Sequence, residues 1–157
     1  LGTGQVYLNL RGRERDGIVS PSEAPALIRS IGGALLGLRD AEREAAVVVS
    51  HVYYGDDVYR GRHRGEAPDM QIGFAENYRT SWESILGAAP AGLFADNDRK
   101  WSGDHSASAA EDTPGILLAN RPLRDHVAIV DLAPSAVAFF GLTPPRHYVG
   151  RSIFSAP

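Results

Sequence analysis

Gly103, Asp104 and His105 stand together in the stretch KWSGDHSASAAEDTPGILLAN, residues 100–120. Aspartate and histidine can ligate metals or move protons, and the glycine before them allows a sharp turn. The pair sits where a polar loop leaves the body of the fold, and ligands and catalytic groups concentrate on such loops. One His beside one Asp is nevertheless more often a hydrogen-bonded loop pair than a metal site, because a metal site needs three or four ligands and outer support. The residues alone leave both readings open.

Other stretches carry groups of the right type. Arg11-Gly12-Arg13-Glu14-Arg15-Asp16-Gly17 could turn arginines toward a phosphate, but its charges largely cancel, and isolated charge runs are usually solvated surface. Gly55 to Gly65 holds further glycines and the arginines Arg60, Arg62 and Arg64. It lacks the glycine order and the strand-to-helix setting of a phosphate-binding loop, so a mobile surface loop is expected. Arg79, among Tyr78, Ser81 and Trp82, could line a substrate pocket or cover the core with its aliphatic stem. His51 reads as a partly buried strand histidine.

Regular elements must position these groups. Gln5 to Leu10 alternates, with Val6, Leu8 and Leu10 on one face of a half-buried strand. Ser20-Pro21-Ser22-Glu23 is a helix start with the elements of a capping box. Ile28, Ile31, Leu35 and Leu38 then recur at helical spacing, and the tract Asp40–Arg43 ends that helix. Ala45 to Tyr54 reads as strand, with Val47 and Val49 inward. Met70 to Phe74 reads as a short central strand carrying Ile72. Ile116 to Ala119 reads as a buried strand, with Ile116 and Leu118 in the core. Asp131 is placed to cap a helix over Leu132–Phe140, Pro134 is tolerated in its first turn, and Gly141 closes it. Val137 and Phe140 complete the expected core. Strands alternating with helices give an α/β class.

Composition sets the outer bounds. The 157 residues suit one domain with a real core, at 43% hydrophobic and 22% charged. A net charge of −3 gives no general affinity for nucleic acid or an anionic membrane. The absence of Cys excludes disulfides and thiolate ligands. No apolar run approaches the ~18 residues of a membrane span.

The motifs WSGDH, PGILLANRPL, IVDLAPSAVAFFGL and VGRSIF, in that order, resemble the C-terminal end of the alkaline phosphatase superfamily. The branch is the bacterial type I phosphodiesterases, or nucleotide pyrophosphatases. QVYLNLRGRERDGIV, APDMQIGF and ENYRTSWES also resemble it, so the likeness spans nearly the whole chain. The branch usually reads DLAPT where this chain has Ser135. The resemblance implies that His105 is the last ligand of a two-metal site, with Asp104 or backbone orienting its ring. It also implies the C-terminal part of an alkaline-phosphatase-like, mostly parallel sheet flanked by helices. Residues 98–157 would be the core portion and residues 1–97 a subdomain near the active-site mouth.

What the resemblance further implies is a metal-dependent phosphohydrolase acting on a small phosphate ester. Two divalent ions, with zinc expected, would polarise the phosphate and activate a Ser or Thr nucleophile. The nucleophile and the acidic ligands match nothing here. The chain begins at Leu1 within what reads as continuing sequence, so the missing N-terminal part of the same chain is an expected partner. Alone, the 157 residues are expected to be inactive and to hold no metal tightly. A non-catalytic accessory or interaction domain fits the same residues. A sulfatase or a metal-dependent phosphoglycerate mutase would use the same scaffold, since fold does not fix function.

Overall fold

The computed structural model describes residues 4–98, 100 and 109–154. The chain forms two compact units, Leu1–Pro114 and Gly115–Pro157. Each is mixed α/β or helical in character and is taken by itself below.

The first unit holds β1 (Gln5–Val6), α1 (Ala24–Leu36), β2 (Arg39–Asp40), β3 (Ala46–Val47), β4 (Val49–Tyr54), α2 (Gly55–Val58), β5 (Met70–Phe74) and α3 (Trp82–Ile85). β5 is the central strand of a three-stranded sheet in the order β1-β5-β4, and β2 pairs with β3 as a separate ribbon. Every named strand pair is antiparallel. The mixed α/β class thus holds. The mostly parallel sheet implied by the resemblance is not formed among the described residues.

Burial follows the alternation read for residues 5–10: Leu8 is buried, Val6 and Leu10 are half-buried, and Tyr7 and Asn9 are exposed. The ladder itself stops at Val6. Leu8 N donates instead to Asp69 Oδ2 at 2.6 Å, so a side chain replaces the next strand partner. The Ser20 start also forms. Glu23 N donates to Ser20 Oγ at 3.3 Å and Ser20 N donates to the Glu23 carboxylate at 3.2 Å, one turn ahead of α1. α1 then lays Ile28, Ile31 and Leu35 against Leu8, Met70 and Tyr54. Gly32 makes the close crossing of Tyr54 over this helix feasible, since a Cβ there would lie 2.4 Å from the tyrosine hydroxyl oxygen.

Two expectations for this unit are corrected. Val47 is exposed, while Val48 and Val49 are both buried. Val47 ends β3, which pairs with β2 in the separate ribbon, and a bend at Val48 precedes β4, so a period of two does not run from Val47 to Val49. Residues 55–65, read as a mobile surface loop, fold as α2 and a 3-10 turn at Arg64–Glu66. Arg60 donates to the carbonyls of Asp56, Tyr59 and Asp57, and Arg64 pairs with Asp56. The side chains remain largely on the surface, as a charged stretch should.

The second unit holds a 3-10 turn at Ile129–Asp131 running into α4 (Leu132–Phe139). Pro134 lies buried in the first turn of α4, and Gly141, at φ +73°, ends the helix with its amide on Ala138 O. Leu123 and Phe154 form an isolated antiparallel bridge. Asp131 sits at the helix start, but its carboxylate does not cap α4. It turns back to accept Ala128 N at 2.8 Å and Arg151 N at 2.9 Å, and it pairs with Arg124. Ser135 Oγ donates to Asp131 O and accepts Ile153 N at 2.8 Å. A single serine hydroxyl thus joins the start of α4 to the residues near the end of the chain.

The expected buried strand at 116–119 does not form. Ile116 and Leu118 are 90% and 89% exposed, and no strand pairs with them among the described residues. Phe140 is 76% exposed, so it is not a core residue here, and Val137 is half-buried.

Candidate functional site

Asp104 and His105 lie outside the described residues. The structure describes the chain again from Ala109. Residues 109–113 form a turn, with Asp112 N and Thr113 N both donating to Ala109 O at 3.1 Å. This turn docks on β4 and β5. Ala109 is fully buried over Gly73, where a Cβ would lie 3.1 Å from the Ala109 Cβ and 3.2 Å from its Cα. Glycine on the central strand therefore lets the incoming backbone approach closely.

Polar contacts surround that packing. Tyr53 OH donates to Glu111 Oε2 at 2.5 Å and accepts Ala110 N at 3.0 Å. Ser50 Oγ lies 3.1 Å from Asp112 Oδ2 and 3.3 Å from Gly73 O. The bulge beside Ser50 is a local re-aiming of β4, a common role for bulges near sites. His51 and Tyr53 share a face by strand alternation, their rings stacked at 6.0 Å between centroids. His51 Nδ1 is buried without a hydrogen-bond partner and is 3.6 Å from Glu111 Oε2, too long for a hydrogen bond. Burial, reinforced by the bond to Glu111, raises the Tyr53 pKa above its ordinary value. The same bond leads the causes that lower Glu111 below the usual carboxylate value. The strand-histidine reading of His51 agrees with its place on β4. Its acidic neighbour comes from far along the chain and is not visible in local sequence.

A second feature is a cleft of about 590 Å³ in the first unit. Leu8, Ala24, Ile28 and Pro68 line its apolar part, and Arg13, Arg29 and Arg64 its charged part. Two loops with a phosphate alternative in sequence thus contribute to one cleft. Each arginine there already has a carboxylate. Arg13 forks onto Asp69 at 2.9 and 2.7 Å, Arg29 is 3.2 Å from Asp57 and stacks 3.7 Å from the centre of the Tyr54 ring, and Arg64 pairs with Asp56. Asp56 and Asp69 belong to the cleft lining and Asp57 does not, and all three cleft arginines are ion-paired.

Asp69 is the residue that sequence reasoning passed over. Its carboxylate accepts Leu8 N and the Arg13 fork, while its carbonyl accepts Gly55 N at 2.8 Å and its amide donates to Val6 O at 3.0 Å. It ties β1, the 11–17 turn and α2 to the start of β5. Burial pushes the Asp69 pKa up, but Arg13 and the Leu8 amide outweigh it and hold the carboxyl below its ordinary value. A group depressed on folding contributes stability above its unfolded pKa and loses it as pH falls through the folded one. The denaturant midpoint should therefore hold steady down to about pH 4 and fall below that. Titrating the midpoint from pH 7 to pH 2 checks this. Asp69→Asn should lower stability at pH 7 and flatten the acid limb; an unchanged acid limb would refute the assignment.

Arg79 is half-buried, its guanidinium 5.0 Å from the centre of the Trp82 ring at the start of α3. Ser81 caps α3 by accepting Glu83 N at 3.1 Å. Among the described residues no three His, Asp or Glu side chains converge in a way that could hold a metal ion. No helix among them is long and apolar enough to cross a membrane. No protein-family model, curated protein or solved structure matches the chain.

Proposed function

We propose that this chain is the C-terminal part of a metal-dependent phosphohydrolase of the phosphodiesterase or nucleotide pyrophosphatase type. The observation that carries the reading is the order of motifs from WSGDH through PGILLANRPL and DLAPS to VGRSIF. In this proposal His105 holds one of two divalent ions, zinc being the expected metal, and Asp104 orients its ring. Arg79 contributes to the substrate pocket for a small phosphate ester. The described residues do not supply the rest of a ligand set, so the ions belong to the longer enzyme and no chemical step is routed through them here.

The bare apolar surface of the second unit supports the same reading. Ile116, Leu118, Ile129, Phe140 and Leu142 are all exposed. α4 carries Leu132, Ala133, Ala136 and Phe139 outward, and a helix apolar on all sides normally lies inside a protein. An alkaline-phosphatase-like body supplied by the N-terminal part of the chain would cover these residues and give Ile116–Ala119 its strand partners. The same surface also favours a second reading, a non-catalytic interaction module whose partner is another protein.

One experiment separates the two. The isolated chain, assayed with an aryl phosphodiester and zinc or manganese, is expected to be inactive. Extending it upstream through an Asp-His pair and the acidic ligand segments should give metal-dependent turnover. In that longer protein His105→Ala should weaken the hold on one ion and reduce turnover. Full metal content and full activity in the longer His105→Ala protein would refute the assignment. Metal-dependent turnover by the isolated chain that vanishes in His105→Ala would refute the division of labour.

A further inference from the structure

The fold brings Arg13 from the 11–17 turn, Arg64 from the 55–65 stretch and Arg29 from α1 to one cleft of about 590 Å³. That volume falls within the range of small-molecule sites, about 300–1,000 Å³. The three arginines are not equivalent. Arg13 is committed to the fold: Nε donates to Glu14, Nη1 to Asp69 Oδ1, and Nη2 to both Leu8 O and Asp69 Oδ2. Among the described residues Arg29 and Arg64 each make one side-chain hydrogen bond, through Nη2, to Asp57 and Asp56 respectively. A guanidinium carries five N–H donors, so each of these two keeps donors for a further acceptor. Their partners are also loosely held. The side chains of Asp56 and Asp57 are 78% and 59% exposed, and surface pairs of this kind contribute little. The Arg29 guanidinium is oriented in advance by its stack 3.7 Å from the centre of the Tyr54 ring.

We propose that this cleft binds an organic phosphomonoester, with Arg29 and Arg64 holding the phosphate and the apolar wall taking its carbon body. Two guanidinium forks suit a head group with three terminal oxygens. Leu8 and Ile28 of the core line the wall, and Pro21, Pro25 and Pro68 complete it with backbone of fixed φ. A wall formed before binding has little conformational freedom left to lose. Asp56 and Asp57 are consecutive residues of α2, and their carboxylates stand on the two arginines where phosphate oxygens would bind. They therefore compete with the ligand, and removing their charge should strengthen binding. The site uses neither His105 nor a metal ion.

Binding to the 157-residue chain is measured by calorimetry and by amide chemical shifts, with phenyl phosphate, inorganic phosphate and benzoate as probes. Phenyl phosphate should saturate the chain, shift the amides of Arg29, Tyr54 and Gly65, and bind at least about tenfold tighter than inorganic phosphate. Arg29→Gln and Arg64→Gln should each weaken it about tenfold or more. Arg64→Lys, which keeps the charge without the fork, should restore only part of that loss. The double variant Asp56→Asn with Asp57→Asn should tighten binding about threefold or more. Arg62→Gln removes the same charge from the same stretch but outside the cleft lining, and should leave binding unchanged. If Arg29→Gln disturbs the packing on Tyr54, Arg64→Gln carries the same test from the surface. No saturable binding at about 10 mM phenyl phosphate would overturn the site. Equal losses in Arg62→Gln and Arg64→Gln would reduce it to general attraction and overturn it too. Inorganic phosphate binding as tightly as phenyl phosphate would overturn the role of the apolar wall, and benzoate binding as tightly would overturn the phosphate assignment. None of these readouts depends on whether the longer enzyme is a phosphohydrolase.

Discussion

Met70→Ala is expected to destabilise the first unit by about 2–5 kcal/mol. Met70 is fully inaccessible and sits at the first position of the central strand. It pairs with Val6 on one side and Tyr54 on the other, so it lies where β1, β5 and β4 all meet α1. Its side chain packs with Leu8 and Ile28, the other buried members of that core. Truncation removes apolar contacts and leaves a void that neighbours on the paired strands cannot close without disturbing the ladder. Met70→Leu conserves volume and should cost less than about 1.5 kcal/mol. Urea titration followed by circular dichroism measures both. The midpoint should fall for Met70→Ala with little change of slope. A loss below about 1 kcal/mol in Met70→Ala would mean that the core is not organised around this strand.

Much of this core was legible because it rests on local periods. The alternation of Val6, Leu8 and Leu10, the helical spacing of Ile28, Ile31 and Leu35, and the central place of residues 70–74 all follow from which residues share a face. The failures have a common cause. A period of two places Val47 inward only if the strand is continuous, and the bend at Val48 between β3 and β4 interrupts it. Asp131 was assigned to the helix it precedes, whereas its carboxylate serves Arg151 twenty residues later. Asp69 was read only as the residue before a strand, because its partners Leu8 and Arg13 lie 61 and 56 residues away. Local spacing says which face a side chain takes. It does not say which distant donor meets it there.

The candidate site divides along the same line. Local sequence singles out Asp104 and His105, which fall outside the described residues, and is silent on the contacts of Tyr53 and Ser50 on β4 with Ala110, Glu111 and Asp112. Ile116 and Leu118 show the opposite problem. Their apolar run has the composition of a buried strand, yet a strand is stable only when a neighbour takes up its backbone groups and covers its faces. Neither condition is met among the described residues, so composition alone overstated the burial. A body that supplied both would turn the sequence reading into the structural one without changing a residue.

Gly150→Ala is expected to release residues 150–154 from the second unit at a cost of about 4 kcal/mol, combining overpacking with lost buried hydrogen bonds. A Cβ on Gly150 would lie 2.1 Å from Val130 O, 2.6 Å from Val130 C and 2.8 Å from Asp131 Cα. These are backbone atoms of the turn that starts α4, so no rotamer change can make room. The tail would have to lift, and the contacts that follow it would go as a group. Arg151 N leaves Asp131 Oδ1, Ile153 N leaves Ser135 Oγ, and Ile153 O leaves Arg124 N, a bond of 2.9 Å. Ile153, one of the buried apolar residues of the chain, becomes exposed. The motifs DLAPS and VGRSIF are thus two halves of one interlock, and its glycine is set by a close backbone approach rather than by a positive φ. Ser135→Ala removes the acceptor for Ile153 N and the donor to Asp131 O but leaves the tail room to pack, and should cost less, about 1–3 kcal/mol. Amide exchange at Arg151 and Ile153 reads the interlock directly. Both amides should lose protection in Gly150→Ala, and Ile153 more than Arg151 in Ser135→Ala. Wild-type protection of both amides in Gly150→Ala would refute the interlock.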